Sequence, residues 1–364
     1  MKKSVFNIEL LPALEGDALW IEYGKPGDIR RILIDGGPIG AYSDLESKLK
    51  SLPEGGKGVE LVVISHIDTD HIEGIIRTLA EKRTSWPILP KDIWFNGWKH
   101  LQECKLLGGM EGDYLSALIS RRAPEAWNAA FKTKAVVVLP DEPLPVISLK
   151  GGMKITLLSP DPGKLQELAV KWKKDVSSKG INPGDLEAAW KKLTLKKQYL
   201  PDDVLGSSDI DLDLEKQLKV DQSVANGASI AFLAEYKGKS CLFLADAHMD
   251  VVCHSIRKLI PPGRNQLKVG AVKISHHGSR ANISVELMEL VDAKHYLVST
   301  NGSKHDHPDR EALEVVITGS ERDPELWFNY RNEHTTPWSG EPGEGQRKFR
   351  AHYPPHGEGI TVNL

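Results

Sequence analysis

A chain of 364 residues, 40% hydrophobic and 27% charged, is long enough for one large domain or two average ones and can bury a substantial core. Its formal net charge of -3 supplies no global basic field, so any polyanion must be met by a local patch or by bound metal. Three cysteines, Cys104, Cys241 and Cys253, are too few and too scattered for a disulfide framework or a Cys-rich zinc site.

The first stretch alternates strand-like segments with turns. Ser4 to Leu11 and Asp17 to Tyr23 read as neighbouring strands, and Ile29 to Ile34 as a third that ends at Asp35-Gly36-Gly37. Asn7 and Glu9 break the first apolar run before a signal segment forms, and no window has the apolar length of a membrane span. The simplest expectation is a cytoplasmic protein with no membrane partner. Leu61 to Ser65 is the next strand, a continuous apolar run.

That strand opens onto His66-Ile-Asp68-Thr-Asp70-His71, four candidate metal ligands within six positions. Imidazole nitrogens and carboxylate oxygens suit zinc, manganese or iron(II). Metal held in this way generates hydroxide near neutral pH, which points to a metal-dependent hydrolase. A bland alternative is a helix start capped by Asp70. Capping accounts for one acidic residue, not for four ligands at this spacing. From Asp70 onward, Ile72, Ile75, Ile76 and Leu79 recur at helical spacing.

Strand signals return at Val136 to Leu139 and Met153 to Leu158. Residues 162–223 then change character. They are highly charged, with helical stretches at Leu165 to Lys174 and Leu186 to Lys197, and close towards the acidic run Asp209-Ile210-Asp211-Leu212-Asp213. This reads as a helical insertion projecting from a single domain that spans 1–364. Its lysines (Lys171, Lys173, Lys174, Lys191, Lys192, Lys196 and Lys197) are interleaved with Trp172 and Trp190. They could track a phosphate backbone while the indoles stack on bases. Two amphipathic helices with inward tryptophans explain the pattern better, because acidic residues follow closely.

Core strands resume at Ala228 to Tyr236, Ser240 to Ala245, Ala271 to Ile274 and His295 to Ser299, and Gly359 to Leu364 could close with a strand. Three of these end in candidate ligands. Cys241 to Ala245 runs into Asp246, Ala271 to Ser275 into His276-His277-Gly278-Ser279, and Tyr296 to Ser299 into the loop with His305 and His307-Pro308. Strands sharing an edge would bring these residues to one cleft, where sites on layered folds lie.

Together, Ile34-Asp35-Gly36-Gly37, Ser65 through His71, Leu244-Ala245-Asp246, Lys273 through Ser279 and Ser299 through His307-Pro308 resemble the metallo-β-lactamase superfamily. Within it, they are most similar to the soluble domain of competence (DNA-uptake) proteins. The resemblance covers about residues 4 to 310. It implies an α/β fold, the four-layer αββα sandwich, with a binuclear site for two divalent ions, zinc or manganese. His66 and Asp68 would bind the first metal, and Asp70 and His71 the second. Asp246 would bridge them, His276 would complete the second site, and Asp35 would orient a ligand.

Two departures stand out. Asp68 replaces a histidine common in the superfamily, which favours manganese or iron over zinc. The further histidine ligand usual between the first motif and the bridging aspartate is missing; only His100 lies there, with no strand-end signal before it. The first metal could then use water or Asn226, or be absent. His277 reads either as a donor behind the ligands or as the start of the turn at Gly278. Ser279 reads as a helix cap, and His248 and His254 as helix-face residues.

The expected activity is metal-dependent hydrolysis of a phosphoester, foremost a phosphodiester, with DNA or RNA among the candidate substrates. Asp70 and Asp246 would hold the hydroxide, and His307 or Lys273 would stabilise the developing charge. The rivals are a hydrolase of a lactone, thioester or choline phosphate, and a non-catalytic metal-stabilised sensor or scaffold.

Overall fold

Phe6, Ile8 and Leu10 alternate inward along the first strand, and Leu19, Ile21 and Tyr23 do so along the second, as a half-buried antiparallel sheet requires. A computed structural model of the chain describes residues 4–53, 56, 58–102, 110–178, 180, 182–199, 221–340, 347–355 and 357–364. Its two large sheets comprise β1 (Val5–Leu10), β2 (Leu19–Lys25), β3 (Asp28–Ile34), β4 (Leu61–Val63), β5 (Ile93–Trp94), β6 (Val146–Ser148) and β7 (Lys154–Ser159). The series continues with β8 (Ala231–Tyr236), β9 (Lys239–Phe243), β10 (Ala271–Lys273), β11 (His295–Val298), β12 (Glu325–Phe328), β13 (Arg350–His352) and β14 (Ile360–Asn363). The first sheet runs β14-β1-β2-β3-β4-β5, and the second runs β13-β12-β11-β10-β9-β8-β7-β6. Pairing is parallel from β3 to β5 and from β9 to β13.

The helices used below are α1 (Tyr42–Lys50), α2 (Thr69–Ala80), α3 (Met110–Arg122), α4 (Pro162–Ser178), α5 (Leu186–Leu193), α6 (Met249–Arg257), α7 (Val285–Leu290) and α8 (Arg310–Gly319). Three apolar layers separate the elements. Trp20, Leu33 and Val62 on one face of the first sheet meet Leu45, Ile76, Leu118 and Trp172 from α1 to α4. Ile8, Ile21 and Val63 meet Leu157, Phe232 and Phe243 between the sheets. Leu233, Leu242 and Val272 on the far face of the second sheet meet Ile256, Leu287 and Leu313 from α6, α7 and α8. Helices, sheet, sheet and helices therefore stack as the expected four-layer αββα sandwich.

Two sequence expectations need correction. Val136 to Leu139 is not a strand. Val136 and Val138 are buried between the sheets, but the Asn96 side chain takes both the amide and the carbonyl of Val136, and Val138 donates to Pro160. Side-chain bonds replace the ladder. Nor does the described part of 162–223 project from the core: α4 buries Leu165, Leu168, Ala169, Trp172 and Val176 in the outer layer. Trp172 is fully buried against Trp98, and Trp190 lies beneath the Arg121 guanidinium. Neither indole is presented for base stacking. Asp209 to Asp213 and Cys104 lie outside the described residues.

Asp113 of α3 accepts from the Gly184 amide ahead of α5 while fully buried, and burial pushes its carboxyl up to about 7. The folded state thus holds this proton more tightly than the unfolded chain. From this group stability falls as pH rises from about 4 to 7. Asp113→Asn, which does not titrate, should equal the parent near pH 4 and exceed it by about 1–3 kcal/mol at pH 8. Urea unfolding at both pH values checks this; a difference that stays constant with pH would refute it. No helix among the described residues is long and apolar enough to cross a membrane.

Candidate metal centre

Five strands deliver the site. β3 ends at Asp35, β4 leads to His66, β9 to Asp246, β10 to His276 and His277, and β11 to the loop carrying His305 and His307. Their parallel pairing puts these carboxyl ends on one side of the sandwich. Asp68 sits at the N-cap of α2 and makes no capping hydrogen bond, so its carboxylate is left to the site. Asp70 and His71 follow in the first helical turn. The β1–β2 loop presses against them: Asp17 N donates to Asp70 O, and a Cβ on Gly16 would lie 1.9 Å from that oxygen. Only glycine permits this approach.

Asp246 Oδ2 is the hub. It lies 3.9 Å from His66 Nε2, 3.6 Å from His71 Nε2, 3.7 Å from His276 Nε2 and 3.8 Å from His277 Nε2. Asp70 Oδ2 is 3.8 Å from His71 Nε2 and 3.5 Å from His277 Nε2, and Asp68 Oδ2 is 3.6 Å from His66 Nε2. These gaps exceed hydrogen-bond length. His66 Nε2, His71 Nε2, His277 Nε2 and Asp246 Oδ1 are buried without any hydrogen-bond partner.

Each imidazole is held from behind through Nδ1. His71 Nδ1 donates to Asp35 Oδ2 at 2.9 Å, and Ser65 Oγ donates to the same oxygen at 2.6 Å. Ser65 Oγ in turn accepts from His66 Nδ1 at 3.0 Å. His277 Nδ1 donates to Ser299 O and His276 Nδ1 to Asn282 Oδ1, both at 2.8 Å. With Nδ1 fixed in this way every Nε2 is aimed inward, and once its proton is displaced it offers a lone pair, the arrangement of metal-bound histidine. Orphaned buried donors of this kind are costly unless a ligand satisfies them. The donor set therefore fits a divalent metal.

Electrostatics agree. Burial and the neighbouring His71 push His66 down to about 4, leaving it neutral. Burial and the Asp70 carboxylate raise Asp68 to about 6. Burial opposes ionisation of Asp246, yet His71 and His276, which without a cation hold their protons (His71 raised well above the ordinary range and His276 to about 9 by the neighbouring carboxylates), overcome it and keep the carboxyl well below its ordinary range. Crowded carboxylates under strong desolvation are what a cation relieves.

The structure brings His66, Asp68, Asp70, His71, Asp246 and His276 together, with Asp35 behind His71 as expected. His307 lines the same cavity, its ring 5.6 Å from His276. Lys273 does not. Its ammonium is fully buried, 2.8 Å from Asp17 Oδ2 and 3.1 Å from Ile274 O, so the expected catalytic role is corrected to a structural one. Lys273→Met would strand the Asp17 carboxylate, and a loss of about 3–5 kcal/mol is expected. Urea unfolding should show it, with Lys273→Met/Asp17→Asn recovering much of the loss; equal stability of the single variant and the parent would refute this.

His100 is a core residue: Nδ1 accepts from Gly97 N and Nε2 contacts Thr133 O. Asn226 stands on the Nδ1 side of His276, its Nδ2 donating to Asp221 Oδ2. His254 lies on α6, whereas His248 is its N-cap, 3.8 Å from Asp221. Sequence reasoning missed the aim of His277, whose only signal was its position after a strand end. Asp17 and Asp221 gave no signal, and Ser65 was read only as part of the ligand motif.

No protein-family model matches the chain, and no curated protein matches it. Among solved structures, a mutant of the CmlA beta-hydroxylase aligns over 100% of this chain and 54% of its own, with 11% identity and a TM-score of 0.36. The chain thus spans about half the length of that protein. Zn(2+)-bound PqqB from Methylobacterium extorquens aligns over 96% of this chain and 88% of its own, again at 11% identity, with a TM-score of 0.40. Likenesses this distant carry no activity across. From its own layering, strand order and strand-end residues, the molecule is a four-layer αββα sandwich with a built set of candidate metal donors.

Proposed function

We propose that this chain is a metal-dependent hydrolase that uses two divalent ions, manganese or zinc, to cleave a phosphoester, most directly a small phosphodiester. The observation that supports this best is the convergence of unpartnered atoms from His66, His71, His277 and Asp246, of which Asp246 and His277 line one cavity together with Asp68, Asp70 and His276. The resemblance of the motif set to the competence-protein domain supports the phosphoester reading.

When bound, the ions would supply Lewis acidity and a hydroxide nucleophile near neutral pH. His66, Asp68, Asp70, His71, Asp246 and His276 would hold them. The chain's own groups do the rest. His307, lowered by burial and by the His276 and His277 imidazoles, is neutral and hydrogen-bonds a phosphoryl oxygen in the cavity. Lys171 from α4 and Lys304 from the loop after β11 stand on the cavity wall and attract an anion.

The cavity encloses about 430 Å³, the size of a small-molecule site. Glu15, Glu111 and Asp175 share its walls with the two lysines, so its lining offers a nucleic-acid backbone a mixed surface rather than a basic track. That favours a small phosphodiester over duplex DNA or RNA.

The test is hydrolysis of a generic aryl phosphodiester by metal-stripped protein, re-supplied separately with manganese and zinc. Asp70→Ala serves as the control. Turnover that needs metal and disappears in Asp70→Ala supports the proposal. A metal-loaded protein without turnover overturns it and moves lactone, thioester and choline phosphate panels, then partner capture, to the front.

A further inference from the structure

We infer that the adjacent histidines His276 and His277 are divided between two metals, so that the pair supplies the ligand missing between His71 and Asp246. This rests on the two-metal reading above and goes beyond it in assigning sides. His277 joins Asp70 and His71; His276 joins His66 and Asp68; Asp246 stands between.

The backbone makes the division feasible. Neighbouring residues of a strand point to opposite faces, so one of two consecutive histidines would normally turn away. Here both adopt left-handed φ, 45° at His276 and 53° at His277. Such conformations are strained for side-chain-bearing residues and persist where the surroundings over-determine them. The result is that both Nε2 atoms reach Asp246 Oδ2, at 3.7 and 3.8 Å.

Different partners fix the two rings. His277 is locked by Ser299 O, and its Nε2 lies 3.5 Å from Asp70 Oδ2; Asp70, His71 and His277 form one mutually close donor group. His276 is locked by Asn282 Oδ1, with Asp221 Oδ2 at 3.4 Å, and pairs with Asp246 rather than with Asp70.

Donor count completes the case. Without His276, the side holding His66 and Asp68 has one imidazole and one terminal carboxylate besides the shared Asp246. His100 cannot fill the gap, because both of its nitrogens meet backbone groups. With His276, each side has three protein ligands besides Asp246, enough for a tightly held ion.

The test counts metal per chain by elemental analysis of dialysed manganese-loaded protein. The parent should hold two ions and each single variant, His276→Ala or His277→Ala, one. Same-side pairs, His71→Ala/His277→Ala and His66→Ala/His276→Ala, should also hold one, and His276→Ala/His277→Ala none. Two ions in either single variant, or one in His276→Ala/His277→Ala, would overturn the division. A parent that binds no metal would instead remove the two-metal reading itself. Should a variant fail to fold, the cobalt-loaded parent decides. Four paramagnetically shifted, exchangeable imidazole N–H signals are expected from His66, His71, His276 and His277; three would overturn the division.

Discussion

Asp246→Ala is expected to abolish tight metal binding and to lower kcat/KM on an aryl phosphodiester by about a thousandfold or more, the scale of losing a preorganised charge-stabilising group. Asp246 is the one carboxylate whose Oδ2 faces all four imidazole Nε2 atoms of the centre, and its Oδ1 has no partner. With two ions bound as proposed, removing it would take a ligand from both at once and leave the imidazoles without the charge that balances the cations. The change should stay local, because Asp246 lies in a loop after β9 and the neighbouring Ala247 amide bonds to Leu244 rather than to its side chain. Circular dichroism should match the parent while metal content falls to background. Activity within tenfold of the parent would refute the assignment.

Stripping the metal should lower the melting temperature by about 5–10 °C, restored by manganese. Ions that bind only the folded state stabilise it by about 4 kcal/mol at a thousandfold excess over Kd, and each kcal/mol moves Tm by about 2–4 °C in domains of 150–250 residues and by less in a longer chain. The physical source is the same set of orphaned donors. Without a cation, Asp68, Asp70 and Asp246 crowd one another around the inward Nε2 atoms of His66, His71 and His277, which have no partner. Scanning fluorimetry after removal of the chelator checks this. A melting temperature that moves by less than a degree would contradict it.

The ligand loops were legible because their signal is local. A continuous apolar run followed by His or Asp marks a buried parallel strand emptying into a loop, and it recurs at Leu61, Cys241, Ala271 and Tyr296. The helix at Thr69–Ala80 was equally plain from its 3.6-residue apolar spacing. Lys273 was misplaced because a lysine beside a ligand motif looks exposed; its compensating charge, Asp17, is 256 positions away. His277 was left open because its direction depends on two left-handed residues that no residue type announces. Val136 to Leu139 has strand composition, but a side chain from Asn96 meets its backbone, and composition cannot show that. The helices of 162–178 and 186–193 were found, while their docking was not. Amphipathicity shows that a face will be buried, not against what.

Anomalous diffraction from crystals grown with manganese tests the central claim most directly. The account predicts two peaks, one on each side of the Asp246 carboxylate and both within coordinating distance of histidine Nε2 atoms. No peak between His66, His71 and His277, or manganese bound only by surface carboxylates, would contradict it.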